Sequence, residues 1–464
     1  MILQTIDHET PQSRLWTHAL NTPVMDGGQW SMFASIVSKY GLAPKSAYPD
    51  NHNASNTAIV NWILNNKLRQ TVAQFYADYT ASSATIEELR RRKLDVMQDL
   101  YCTLCCLFGE PVTQFTWFPY NDRCSVIRDS PLLEYAAKDG IYTPQSFAEV
   151  VVFGFGFGLT GIAAPVPSST PESAVPQKPT HSSPPESDVG VRGSHETSSA
   201  AAAPAPTATG SDDRKQSNAF QPTDPRTWVT FVNDPRHPYN TLLTVEYLGS
   251  IWHPVAPGEV ASCVQYINVP SSTLVAFTTL MLQKYQQPVW FGCDSSKFAY
   301  RKDCVWDPHV INFSRTLGHQ MAQLDPTFSK RERILFHETC MTHAMVFTGV
   351  HINGDGAPVR FRVENSWGDV GDNSGYFSMS YVYVCCTLLA PLYCMSMLVS
   401  THSSFSAHSK LLHPHRVEWF HEFVFQIAMP RECVPDSLGI DINQILSQDP
   451  IVLPPWDPMG ALAL

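Results

Sequence analysis

The chain has 464 residues, 44% hydrophobic and 16% charged, enough apolar material and length for one large domain or two or three smaller ones. Its net charge of −11 and pI near 5.8 exclude an electrostatic footprint for nucleic acid. The short basic run Arg90, Arg91, Arg92, Lys93 lies on a helical pattern and reads as a solvated face.

Twelve cysteines without repeated spacing are too sparse for a disulfide scaffold and indicate a reducing setting. The first residues have no long apolar core, no small-residue cleavage site and few arginines, so neither a signal nor a transit peptide is predicted. A cytoplasmic location is expected, with a mitochondrial form left open. Two uncharged stretches, 150–167 and 384–400, are marginal in length for a membrane span. The first runs into a Pro/Ser tract and the second holds Pro391, so no membrane association is predicted.

Residues 1–23 show no clear periodicity and stay unassigned. From about Asp26 to Cys106 the pattern is helical. Trp30, Phe33, Ile36, Val37 and Tyr40 recur at three and four, Gly41 stops the helix, and Pro44 follows. Val72 to Leu107 reads as one or two amphipathic helices. Cys102, Cys105 and Cys106 end it, and no second ligand pair or histidine completes a zinc site there. They are expected as small buried helix residues.

The stretch 151–224 changes character. Ala163 to Gly210 is rich in Pro, Ser, Thr and Ala and cannot bury enough surface to offset its ordering entropy, so a disordered insertion is expected. Gly154 to Gly158 reads GFGFG but leads into proline-rich coil, not a helix, which argues against a dinucleotide loop. Strands are predicted at 230–232, 244–247, 289–291, 345–350, 360–364 and 375–379, and a helix over 271–285. Residues 381–416 have neither period. Their histidines (His402, His408, His413, His415) read as irregular loop, not as a metal site. Patterns of strand and helix return at Val417 and end near Ile427.

Two segments carry chemistry. CMTHAMVFTGV places His343 at the head of an apolar strand, and RVENSWGD places Asn365 between a strand and glycine-rich turns, 22 residues on. A thiol peptidase needs a histidine to activate the thiolate and protonate the leaving amine. It also needs an amide that accepts the second imidazole N–H and fixes the ring. The order and spacing of His343 and Asn365 fit that pair.

The runs DGGQW (26–30), FTW (115–117), TPQSF (143–147), VNDPRHPYN (232–240), TVEYLG (244–249), VWFGCD (289–294), MTHAM (341–345), VENSWGD (363–369) and PPWDPMGALAL at the end resemble bleomycin hydrolases, papain-like cysteine aminopeptidases. The resemblance covers about 24–150, 225–380 and 417–464. It implies an α+β papain-like cysteine peptidase fold with a helical hook insertion, partial in 24–150, β-rich in 225–380, and completed by 417–464. It implies peptide substrates, a homo-hexamer and no cofactor or metal. It makes His343 the general base and acid, Asn365 the orienting amide, and Trp367 the cover of their bond. It places the tail, Ala461, Leu462, Ala463 and Leu464, near substrate as a ruler for amino-terminal trimming.

The same family places its nucleophilic cysteine upstream of DGGQW, in a Gly-x-Cys-Trp segment that opens the central helix. The 25 residues before Asp26 hold no cysteine, and the first in the chain is Cys102. The fold is therefore expected to lack its N-terminal part with the nucleophile helix, and the chain to be inactive as it stands. A pseudoenzyme serving as a non-catalytic subunit or peptide-binding module is the alternative. Cys293 and Cys340 are not expected to substitute, the second because it is read on the same element as His343. For 381–416 translated intron sequence is a sufficient explanation; for 151–224 a genuine insertion serves equally.

Overall fold

Helices dominate the amino-terminal part of the chain and strands the rest. A computed structural model describes residues 1–24, 27–118, 140–153, 228–248, 264–308, 328–366, 376–379 and 418–461. These belong to one unit, Met1–Pro165 with Gln221–Leu464. The GFGFG run, the expected insertion beyond residue 153, the 381–416 block, Trp367 and Leu462 to Leu464 lie outside the described residues. So do the second uncharged stretch and most of the first.

The helices are α1 (Ile2–Thr5), α2 (Arg14–Asn21), α3 (Trp30–Tyr40), α4 (His52–Ser55), α5 (Ala58–Thr80) and α6 (Ile86–Phe108). The first two correct the expectation of an unpatterned start. At four and eight residues they are shorter than the window in which period is legible. Local chemistry makes them: the Ser13 side chain accepts from the Trp16 N–H at 3.3 Å, an N-cap. Trp16 is fully buried, gives its indole N–H to Thr5 at 2.9 Å, and meets Tyr76 edge-on at 5.5 Å.

Helix α5 starts well before Val72, and α6 pairs with it. Thr85 caps α6, Glu87 and Glu88 occupy its first turn, where carboxylates complement the helix dipole. Gly109 ends it. The seam is closed by Phe75 and Leu89 with Ile6 and Trp16, and by Val60, Leu64 and Leu100. Cys102 and Cys106 are exposed and Cys105 is half-buried, against the expectation of burial. Leu100, Leu107 and Phe108 take the face of α6 that packs on Val60 and Leu64 there, and the cysteines are left off it.

The runs FTW and TPQSF meet. β1 (Phe115–Thr116) pairs with β2 (Ile141–Tyr142), and α7 (Pro144–Phe147) follows under a Thr143 capping box. Phe115, Trp117, Tyr142 and Phe147 form one aromatic cluster. Gly41 ends α3 against this corner with φ +75°, and a Cβ there would lie 2.1 Å from the Pro144 carbonyl carbon.

The second half builds an eleven-stranded mixed sheet in the order β13-β4-β5-β3-β12-β6-β9-β10-β11-β8-β7. Its strands are β3 (Trp228–Val232), β4 (Thr241–Val245), β5 (Tyr266–Asn268), β6 (Val289–Cys293), β7 (Ala299–Tyr300), β8 (Val305–Trp306), β9 (His343–Ile352), β10 (Pro358–Glu364), β11 (Tyr376–Met379), β12 (Val424–Pro430) and β13 (Ile451–Leu453). Helices α8 (Ser271–Leu280), α9 (Lys330–Leu335), α10 (Glu418–Phe423) and α11 (Ile442–Leu446) accompany it. Phe291 stacks on Phe347 at 3.7 Å, and Phe347 meets Phe361 and Phe420 at 5.1 and 5.4 Å. Such pairs add about 0.5–1.5 kcal/mol each beyond area burial. β12 is buried along its whole length, as a central strand covered on both faces must be.

One buried charge ties α9 to this centre. Lys330 donates to the carbonyls of His421 and Val424 at 3.1 and 2.7 Å and sits 4.9 Å over the Phe425 ring. Burial pulls its ammonium down to about 7.

Gly41 and Gly109 share a positive φ, but only Gly41 is enclosed. Gly109→Ala should cost about 1–3 kcal/mol for backbone strain. Gly41→Ala should cost at least about 2 kcal/mol more, because the clash is with main chain. Urea midpoints of the two variants at constant m-value check the difference.

Candidate active site

His343 is the first residue of β9, and Asn365 is the first after β10. The two strands pair antiparallel, with Glu364 opposite Val346 and Val363 opposite Phe347. That register brings residues 22 apart in sequence to one end of one sheet. A one-residue slip would turn Asn365 to the opposite face. Asn365 Oδ1 accepts from His343 Nε2 at 2.9 Å. A carbonyl oxygen can only accept, so this contact assigns the proton to Nε2 and directs the ring's other nitrogen away from the amide. Both residues are 8% exposed, so the bond is screened from water. Asn365 Nδ2 is buried with no hydrogen-bond partner among the described residues, an unsatisfied donor of the kind that gathers at functional sites.

The structure places Cys293 closer to the histidine than its sequence position suggests. It ends β6, directly opposite His343 in the β6–β9 register. Its carbonyl accepts from the Thr342 N–H at 2.9 Å. Its side chain is fully buried, and burial, then the Asp294 charge, push its thiol well above the usual range. A thiol held neutral in the core is a packing group, since the thiolate is the nucleophile. Cys340 lies in the coil before β9, not on the strand as expected. Burial, then Asp294, raise its thiol too. Cys433 is pushed up to about 12 by burial. Every described cysteine is a free thiol. The described residues hold no group of three His, Cys, Asp or Glu side chains able to bind a metal ion.

The carboxyl-terminal segment returns to this sheet. Arg236 bonds Asp457 at 2.6 and 3.0 Å and Asp234 at 2.8 and 3.0 Å. Burial opposes the Arg236 charge, but the bonds to Asp234 and Asp457 outweigh it and raise the guanidinium pKa further. Asp457 also caps the turn Pro458–Gly460 through the Met459 N–H at 2.9 Å. One residue on, Ala461 gives its carbonyl to Gln29 Nε2 at 2.7 Å, and Gln29 Oε1 accepts from Gln426 Nε2 at 2.5 Å. Sequence reading missed Gln29 and Gln426. Gln29 stands inside the DGGQW run, and Gln426 is a lone amide in an apolar strand, VFQIAMP, which is the signal that was there to find.

The model of the Peptidase C1-like family matches residues 1–138, 213–385 and 411–460. Bleomycin hydrolase of Rattus norvegicus is 28% identical over 459 residues, 98% of this chain and 72% of the relative. Aminopeptidase C of Streptococcus thermophilus is 28% identical over 464 residues, 100% of this chain and 74% of the relative. The mitochondrial cysteine proteinase 1 of Saccharomyces cerevisiae is 28% identical over 465 residues, 97% and 68% of the two chains. The crystal structure of PepW from Lactobacillus rhamnosis superposes with a TM-score of 0.64 at 25% identity, covering 100% of this chain and 74% of that one. The α+β papain-like fold expected from the sequence is the fold observed.

Exposure separates the thiols. Iodoacetamide on the folded chain should modify Cys102 and Cys106 within minutes and leave Cys293 unmodified until denaturant is added. Peptide mapping reads this, and early alkylation of Cys293 would contradict its buried, neutral state.

Proposed function

This chain belongs to the Peptidase C1-like family, that of the bleomycin hydrolases and aminopeptidases C, and from that membership we propose a cysteine-type aminopeptidase that acts on the amino ends of peptides. His343 is the general base and acid. With Nε2 bound to Asn365, its other ring nitrogen takes the thiol proton and returns it to the leaving amine. Asn365 keeps the ring in that tautomer, and the family resemblance gives Trp367, two residues on, the role of covering their bond. No organic cofactor or metal enters this scheme.

Among the described residues the attacking sulfur is the missing part. Among the described cysteines none combines an accessible thiolate with a place at His343. Cys293 is adjacent but buried and neutral, and Cys102 and Cys106 are exposed on α6. That observation supports a chain of these 464 residues that does not turn over by itself. An aminoacyl-coumarin assay on the purified chain should give no release above background. Release that disappears in His343→Ala would overturn the reading.

The helical hook and the oligomer belong to the same proposal. α5 exposes Ile59 at 67% and Trp62 at 65%, and α6 exposes Leu94 at 64% together with Met97, Tyr101 and Leu104. At about 25 cal/mol per Å² of apolar surface, these ridges favour association, and they support a homo-hexamer built through the hook. Sedimentation velocity of the chain should give a particle several-fold heavier than the monomer. The double variant Trp62→Glu, Leu94→Glu should sediment as a monomer. The stretches 139–212 and 386–410, which fall between the family-matched segments, support reading 151–224 and 381–416 as insertions. Free thiols throughout the described residues support a cytoplasmic setting. No helix among the described residues is long and apolar enough to cross a membrane.

A further inference from the structure

We propose that Gln29, held by Gln426, is a positioning residue that fixes the point from which the carboxyl-terminal tail leaves the fold. The inference rests on the reading of that tail as a stop for the amino end of the substrate, and supplies the residues that set where the stop stands.

Three observations carry it. First, the relay has a defined polarity. The Ala461 carbonyl can only accept, so Gln29 must turn its Nε2 toward it, which leaves Oε1 to accept from Gln426. Both amides are buried to 2% exposure or less, where an unmade hydrogen bond costs about 1–3 kcal/mol. The tail carbonyl is thus the cheapest partner for an amide already oriented from behind.

Second, the approach to Ala461 is rigid. Trp456 lies against the Arg14 guanidinium at 4.4 Å, Arg236 grips Asp457, and Asp457 caps the following turn. A Cβ on Gly460 would stand 2.8 Å from Val245, so the chain presses close to β4 just before the clamp. Ala461 is the last described residue, and three residues follow it in the sequence.

Third, the relay shares strands with the histidine. Gln426 of β12 is opposite Gly292 of β6, and Gly292 is opposite Ala344 of β9, the residue after His343. A Cβ on Gly292 would meet Met341 Sδ at 2.0 Å and Gln426 Cγ at 3.1 Å, so this position has no room for a side chain beside the relay. An amide pair rooted there ties the position of the tail to the strands that carry the site.

Hydrogen–deuterium exchange of the 464-residue chain tests this without turnover. In Gln29→Glu, followed at a pH where the carboxyl is ionised, the carboxylate still accepts from Gln426 but presents only acceptor oxygen to the Ala461 carbonyl. The Gly460 and Ala461 amides, which bond Asp457 and Pro458 in the capped turn, should then exchange at least tenfold faster, with β6 and β12 unchanged. Gln29→Ala should do the same, and Gln426→Met should give a smaller rise by freeing Gln29 to rotate. Tail exchange equal to wild type in Gln29→Glu overturns the proposal. So does a uniform rise over the whole sheet in that variant with no excess at the tail. If only Gln29→Ala unfolds, Gln29→Glu decides. The readout is independent of the coumarin assay, so a failed clamp and a failed peptidase reading are told apart.

Discussion

The antiparallel pairing of β9 with β10 is the constraint on which the site depends. It converts a gap of 22 residues into a 2.9 Å contact between an imidazole and an amide, and it does so with backbone hydrogen bonds that neither side chain has to supply. The pairing is itself held from below. Phe347 on β9 and Phe361 on β10 share one aromatic stack with Phe291 and Phe420, so the register that sets the His343–Asn365 contact is also the register that closes the core. Slippage would cost both at once.

The sheet also disfavours Cys293 as an attacking sulfur. Cys293 is opposite His343 in the ladder, yet adjacency along a sheet and approach across a cleft are different geometries. A side chain in the ladder is enclosed by the same packing that positions it, and enclosure disfavours the charged form needed for attack. A nucleophile of this type needs an electropositive, partly open surrounding, and the Asp294 charge beside Cys293 acts the other way.

Much of this was legible from residues alone. His343 and Asn365 stood out in the sequence because a thiol peptidase would need that pair in that order, and the structure brings them to 2.9 Å; α3 was legible because Gly41 ends a clear apolar period. The end of α6 and the six expected strands came within a few residues of their places, whereas α5 begins well before the expected Val72. What was not legible depended on distant partners. Helices α1 and α2 are too short for periodicity and exist through one cap and one buried indole. The exposure of Cys102 and Cys106 depends on which face of α6 meets α5, a face taken by Leu100, Leu107 and Phe108. Gln29 and Gln426 are 397 positions apart, and no local pattern joins two amides over that distance. The register of Cys293 against His343 was equally hidden, since spacing along the chain carries no information about which strand lies next to which.

Strand β12 occupies the middle of the sheet, between β3 and β6, although it is formed by Val424–Pro430 near the carboxyl end. On the ribosome, β3-β5-β4 and β6-β9-β10 therefore emerge as two half-sheets with bare inner edges. Unpaired inner edges of apolar strands are the surfaces from which misassembly starts. Closure of the sheet therefore waits on Val424–Pro430, which must insert between two edges formed by earlier parts of the chain.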